Sequence, residues 1–112
     1  MKLSEKQAIF AVNVASLINY IDKQGYRVTF GETFRTPEQA DIYAKNGKGI
    51  KNSLHCKRLS VDLNLFSPEG EYLTDTKSHE PFGKFWKSLH KHNRHGGDFK
   101  KPDGNHYEMQ DI

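Results

Sequence analysis

The N-terminal segment places Phe10, Val14, Leu17, Ile18 and Ile21 at spacings of four, three, one and three, one face of an amphipathic helix. Ser4 is positioned to cap it, and Gln7, three residues on, to close a capping box. Gly25 ends it by supplying the left-handed backbone that helix ends often use. A helix of this kind is core scaffold. Tyr26 to Thr33 then alternates as a strand, with Tyr26, Val28 and Phe30 on one side. A short second helix follows, capped by Thr36, with Pro37 at its first position, Gln39 closing the box and Gly47 at its end. The stretch from Asn46 to Asn52, rich in Gly, Lys and Asn, reads as an exposed mobile loop.

Arg58 to Phe66 is the most informative strand. Leu59, Val61, Leu63 and Leu65 share one face, and Arg58, Ser60, Asp62 and Asn64 share the other. The apolar face has to pack on helices, which leaves the polar face to line solvent or a cleft. Ser67-Pro68-Glu69-Gly70 is a turn. Pro81 to Asn93 predicts a third helix with an aromatic core stripe of Phe82, Phe85, Trp86 and Leu89, ended by Gly96 and Gly97. A last short strand, His106 to Met109, alternates His and Glu against Tyr and Met. Helices mixed with short, mostly hairpin-like strands predict an α+β domain, a small antiparallel sheet packed against helices. No repeat, low-complexity tract or linker divides the chain, so residues 1–112 are expected to be one domain.

Composition changes the picture little. Seventeen Lys and Arg against fourteen Asp and Glu give a formal net charge of +3, with six histidines besides. That mild basicity suits a cell wall, a membrane surface or nucleic acid without choosing among them. A lone cysteine, Cys56, excludes an internal disulfide. No apolar run approaches the roughly 20 residues of a membrane span. The N-terminal apolar stretch is broken by Glu5, Gln7, Asn13 and Ser16, which reads against a signal peptide and for synthesis in the cytoplasm.

The candidate chemistry lies on the polar faces. A catalytic zinc site takes three ligands from imidazole and carboxylate and leaves one position open for water. His55 stands just before the central strand, Asp62 on its polar face, and His106 opens a strand whose polar face also carries Glu108. These can converge on one point above the sheet, where a metal would polarise a carbonyl and acidify water. Asp103, in Asp103-Gly104-Asn105-His106, can sit beside the metal as a proton carrier, or can simply belong to a turn before the strand. His79, His90 and His92 read as solvated, with His95 past the helix end, and Cys56 points away if its segment is extended.

Ser53-Leu54-His55 followed by Asp62 resembles the S-x-H-x-x-G-x-A-x-D motif of zinc D-alanyl-D-alanine carboxypeptidases and dipeptidases (VanY-like) and of phage endolysins that cut between L-alanine and D-glutamate. Asp103-Gly104-Asn105-His106 matches their second motif, Asp/Glu-x-x-His, and Gly96-Gly97-Asp98-Phe99 resembles the Gly-Gly-Asp-aromatic segment of the phage members. The resemblance runs from Gly31-Glu32-Thr33-Phe34-Arg35-Thr36 to the C-terminus. It implies a hedgehog/D,D-peptidase-like fold, one zinc ion on His55, Asp62 and His106, and Asp103 as catalytic acid/base. It further implies that Arg35 binds substrate and stabilises the oxyanion, where the plain reading is a surface charge at a helix start, and that Ser53 orients the site. Arg58 and Ser60 replace the motif's Gly and Ala, and His95 stands where phage members tend to carry an aromatic residue. All three become candidate substrate contacts.

The implied function is hydrolysis of an amide bond in peptidoglycan stem peptides, L-Ala-D-Glu or D-Ala-D-Ala, by a monomeric phage or prophage endolysin. Such an enzyme would reach the wall through a holin-type pore, with no nucleic acid or stable membrane partner. Two other readings compete. One is a metal-dependent nuclease built on the late histidines, against which stands the absence of a dense Lys/Arg stripe. The other is a non-catalytic wall-binding module, which has no need of Asp103 beside His106.

Overall fold

The computed structural model describes residues 1–47 and 53–112; most of the Asn46–Asn52 segment expected to be a loop lies outside them. The architecture is α+β. Three helices, α1 (Leu3–Lys23), α2 (Pro37–Lys45) and α3 (Thr76–Leu89), accompany five strands. These are β1 (Arg27–Phe30), β2 (Ser60–Phe66), β3 (Tyr72–Leu73), β4 (Asn93–His95) and β5 (His106–Met109). All pairings are antiparallel, in the order β1-β2-β5-β4, with β3 also on β2. The second half of β2 pairs with β1, and its first half pairs with β5. Central position on both edges explains why β2 carries the chain's cleanest alternation.

Leu59, Val61, Leu63 and Leu65 are all buried, as the period of two predicts. They meet Phe10, Leu17 and Ile21 of α1, Phe82 and Trp86 of α3, and Tyr107 and Met109 of β5. Burying each large apolar side chain contributes roughly 1.5–3 kcal/mol. Trp86 is fully buried, and its indole Nε1 donates to the carbonyls of Arg94 at 3.0 Å and Glu108 at 3.1 Å. That one donor fastens α3 to β4 and β5.

Element ends follow local chemistry unevenly. Thr36 Oγ1 accepts from the Gln39 N–H, with Pro37 opening α2, as the motif predicts. Ser4 does not cap α1. The cap position is Lys2, whose carbonyl accepts from the N–H groups of Glu5 and Lys6, so Ser4 falls inside the first turn. Gly25, with φ of +87°, stops that helix as expected.

The largest revision concerns α3. It begins at Thr76, capped by Asp75 whose carboxylate accepts from the Ser78 N–H and hydroxyl, and Pro81 lies inside it. Proline removes one helical donor, and Lys77, whose carbonyl loses its partner, is exposed, so water can replace the bond. The helix stops at Leu89 because His90 is extended, and Asn93, expected to be helical, starts β4. Gly96 and Gly97 therefore do not end a helix; they open a 3-10 turn after β4. Glycine is needed at position 96 because a Cβ there would lie 2.1 Å from the Asp103 carbonyl oxygen.

Starting earlier, α3 presents His79, Phe82, Gly83 and Trp86 on one buried face. His79, expected to be solvated, is buried, and its Nδ1 lies 2.8 Å from the Tyr107 hydroxyl. Burial, reinforced by nearby His95 and opposed by Asp75, pushes its pKa from 6.5 down to about 4. The unfolded chain therefore binds the extra proton between those values. This contribution to stability is whole above about pH 6.5 and is lost as pH falls towards 4, on the order of 3 kcal/mol in all. Urea midpoints of wild type and His79→Gln should converge between pH 7 and pH 4.5. An unchanged difference would contradict this account.

Candidate metal centre

Two turns and two strands build the site. Leu54–Lys57 is a 3-10 turn capped by Ser53, whose Oγ accepts from the His55 N–H at 3.2 Å. Arg58 closes the turn in the left-handed region, φ 55° and ψ 38°, and the chain then enters β2. Cys56 is thus part of a tight turn and not of an extended segment. Asp62 and His106 are direct register partners across β2 and β5, so their side chains share one sheet face. His55 is brought over that face by the preceding turn. One ligand atom from each of His55, Asp62 and His106 lies within 4.8 Å of the others, a spacing that can hold a metal ion.

Orientation is specific at the level of single nitrogens. His55 Nε2 lies 3.4 Å from Asp62 Oδ1, and His106 Nδ1 lies 3.1 Å from the same oxygen. The outward nitrogens meet other carboxylates. His106 Nε2 is 2.7 Å from Glu108 Oε1, and His55 Nδ1 is 3.5 Å from Glu32 Oε1. Glu32 in turn pairs with Arg35 at 2.6 Å, and Arg94 Nε donates to Glu108 Oε2 at 2.8 Å.

Without metal, burial opposes the charge on Asp62, but hydrogen bonds from His106 and His55 outweigh it and hold the carboxyl at about 2. Burial likewise opposes charge on His106, and its hydrogen bonds to Asp62 and Glu108 more than compensate, raising it to about 9. The donor set, two imidazoles and one carboxylate among the described residues, can hold a divalent metal ion.

The three residues face a cleft of about 710 Å³ that Arg35, Ser53 and Asp103 also line. Asp103 sits at the exposed rim; its carbonyl accepts from the His106 N–H at 3.1 Å, so the two share one tight turn. The three remaining candidates are not among the described lining residues. Ser60 is buried. Arg58 lies over the Phe34 ring at 4.1 Å. His95 is buried, stacked on Tyr107, with Nε2 2.6 Å from the Gly104 carbonyl oxygen. His90 and His92 occupy the turn after α3, half-buried, with rings 5.3 Å apart.

Glu32 and Arg94 were not legible as site residues. Alternation puts Glu108 beside His106, yet nothing in the sequence pairs Arg94 with Glu108 or turns Glu32 towards His55. Asp62 draws Glu32 in through backbone bonds, Gly31 N–H to the Asp62 carbonyl at 2.8 Å and Asp62 N–H to the Glu32 carbonyl at 2.9 Å.

The chain shares its fold with a solved endopeptidase. The crystal structure of the L-Ala D-Glu endopeptidase ChiX of Serratia marcescens matches it with a TM-score of 0.63. The two are 17% identical, over 75% of this chain and 67% of that one. At that identity the likeness is one of fold. No protein-family model and no curated protein matches the sequence. No helix among the described residues is long and apolar enough to cross a membrane.

Proposed function

We propose that this protein is a zinc peptidase that hydrolyses peptidoglycan stem peptides, with the L-Ala-D-Glu bond favoured over D-Ala-D-Ala. The observation that carries this reading is the convergence of His55, Asp62 and His106 in a cleft that Asp103 and Arg35 also line. The fold likeness to an L-Ala D-Glu endopeptidase supports the substrate class and the choice of bond. The Gly96-Gly97-Asp98-Phe99 resemblance to phage enzymes supports a role in lysis, with a monomer acting on the wall.

Each residue then has a role. His55 Nε2, Asp62 and His106 Nδ1 would hold the ion, which when bound would supply positive charge to polarise the scissile carbonyl and acidify water. Asp103 takes a proton from the attacking water as the water's oxygen bonds to the carbonyl carbon. The same carboxyl returns the proton to the amide nitrogen as the C–N bond breaks, leaving a carboxylic acid and an amine, between which the remaining proton is exchanged through solvent. Arg35, which lines the cleft with its guanidinium paired to Glu32, opposes the negative charge that develops on the carbonyl oxygen. Ser53 holds the His55 turn through its Oγ.

Purified peptidoglycan incubated with the protein, with zinc or with chelator, tests the reading by mass spectrometry of the released fragments. New D-glutamate amino termini appearing only with metal are expected. Release of D-alanine would move the cut to the stem terminus. An intact wall beside folded, zinc-loaded protein would overturn the peptidase reading, and metal-dependent nicking of DNA in the same preparation would establish the nuclease instead.

A further inference from the structure

The pair Glu108–Arg94 is built into the protein and is unlike its surface ion pairs. Glu108 is buried, 5% exposed, and a buried carboxylate costs free energy unless its oxygens are bonded. Both are: Oε1 on His106 Nε2 at 2.7 Å and Oε2 on the Arg94 guanidinium, including Nε at 2.8 Å. Arg94 and Glu108 are also register partners across β4 and β5. Their two backbone carbonyls accept from the same buried Trp86 indole N–H. Side chains and main chains of the pair are therefore fixed together, and through α3 to the core. Arg94 itself is exposed, as Lys87 is, and the difference lies in the carboxylate, which is buried in Glu108 and exposed in Asp98.

We propose that Glu108, clamped by Arg94, is a positioning residue that fixes the His106 ring with its proton on Nε2 and its Nδ1 lone pair aimed at the metal position. This rests on the metal reading given above. A carboxylate already paired with a guanidinium is a weak proton acceptor, so it orients the imidazole N–H without removing its proton. Imidazole ligands are commonly held this way, and losing the outer partner typically costs 10–100-fold in metal affinity. On the other side of Asp62 the contact is looser: Arg35 pairs with Glu32 Oε1 at 2.6 Å, and the same oxygen lies 3.5 Å from His55 Nδ1 without a hydrogen bond.

The test is cobalt(II) binding to the full chain, read by competition with a chromophoric chelator and by the visible spectrum of the bound ion. Glu108→Ala should weaken binding about 10–100-fold and alter the absorption bands, while circular dichroism shows the metal-free variant folded. Glu108→Gln keeps an oxygen to accept from Nε2–H and should recover most of the loss. Should Glu108→Ala not fold, Arg94→Ala decides, with a loss of about tenfold expected. Affinity within about twofold of wild type, with unchanged bands, in the folded variant overturns the positioning role alone. Wild-type protein that takes up no cobalt overturns both this proposal and the metal reading. Cobalt uptake that depends on Glu108, in a protein that leaves peptidoglycan intact, supports the positioning role and overturns only the peptidase.

Discussion

Asp103→Asn should lower kcat for peptidoglycan fragments by about 10²–10⁴, the usual worth of a positioned acid/base, or roughly 3–5 kcal/mol of barrier. Zinc content and thermal stability should stay at wild-type levels. The reasons are geometric. Asp103 stands at the exposed rim of the cleft and outside the ligand group, so removing its charge leaves the His55–Asp62–His106 cluster as it was. The backbone bonds that hold it, Asp103 N–H to the Gly96 carbonyl at 2.9 Å and His106 N–H to the Asp103 carbonyl at 3.1 Å, do not involve the side chain. Asparagine keeps the shape and loses the proton chemistry. Measured zinc stoichiometry beside steady-state kinetics separates the outcomes. Unchanged turnover would remove Asp103 from the mechanism and leave the proton to another group. A joint loss of zinc and turnover would make it a ligand.

The second large effect is at Asp62. It is the one carboxylate in the donor set and the atom to which both histidines turn, at 3.1 and 3.4 Å. Asp62→Ala should abolish zinc binding at micromolar metal and take activity with it, a greater loss than the 10–100-fold expected for an outer partner such as Glu108. The fold should survive, because Asp62 lies on the sheet face opposite Leu63 and its β2 neighbours in the core, and its ladder bonds are made by backbone. Zinc analysis after dialysis and a circular dichroism melt check both halves. Retained stoichiometric zinc would mean that the ion sits elsewhere.

These two substitutions touch residues that local sequence signals brought forward. Asp62 stands in a seven-residue strand whose alternation is nearly perfect, so its face was fixed by the period alone. His106 and Asp103 share a four-residue turn, a distance over which the chain's own geometry keeps them close. His55 follows a serine that caps its turn, a local device readable at a spacing of two. Where local signals were weak or overruled, the sequence misled. Ser4 looked like a cap, but the helix starts at Leu3 behind Lys2, which puts Ser4 inside the first turn. Pro81 looked like a helix start, yet Asp75 provides a stronger one six residues earlier and the proline is tolerated on an exposed face. β4 is three residues long and takes its structure from β5, which no local pattern announces.

The sequence offered His55, Asp62 and His106 as candidate ligands, which the register of β2 on β5 brings together. By itself it determined the α+β class, the apolar face of the central strand and the cap of the second helix. Each depends on periods of two or 3.6, or on contacts within a few residues, where covalent geometry does most of the positioning. Only the tertiary structure decided which nitrogen of each histidine faces Asp62, that Glu32 and Glu108 back them, and that arginines hold both carboxylates. It also moved Ser60 and His95 from the cleft into the interior and buried His79 against Tyr107. Those outcomes depend on the register between strands far apart in sequence and on the seat of Trp86. A shift of one residue in that register would turn every side chain to the other face.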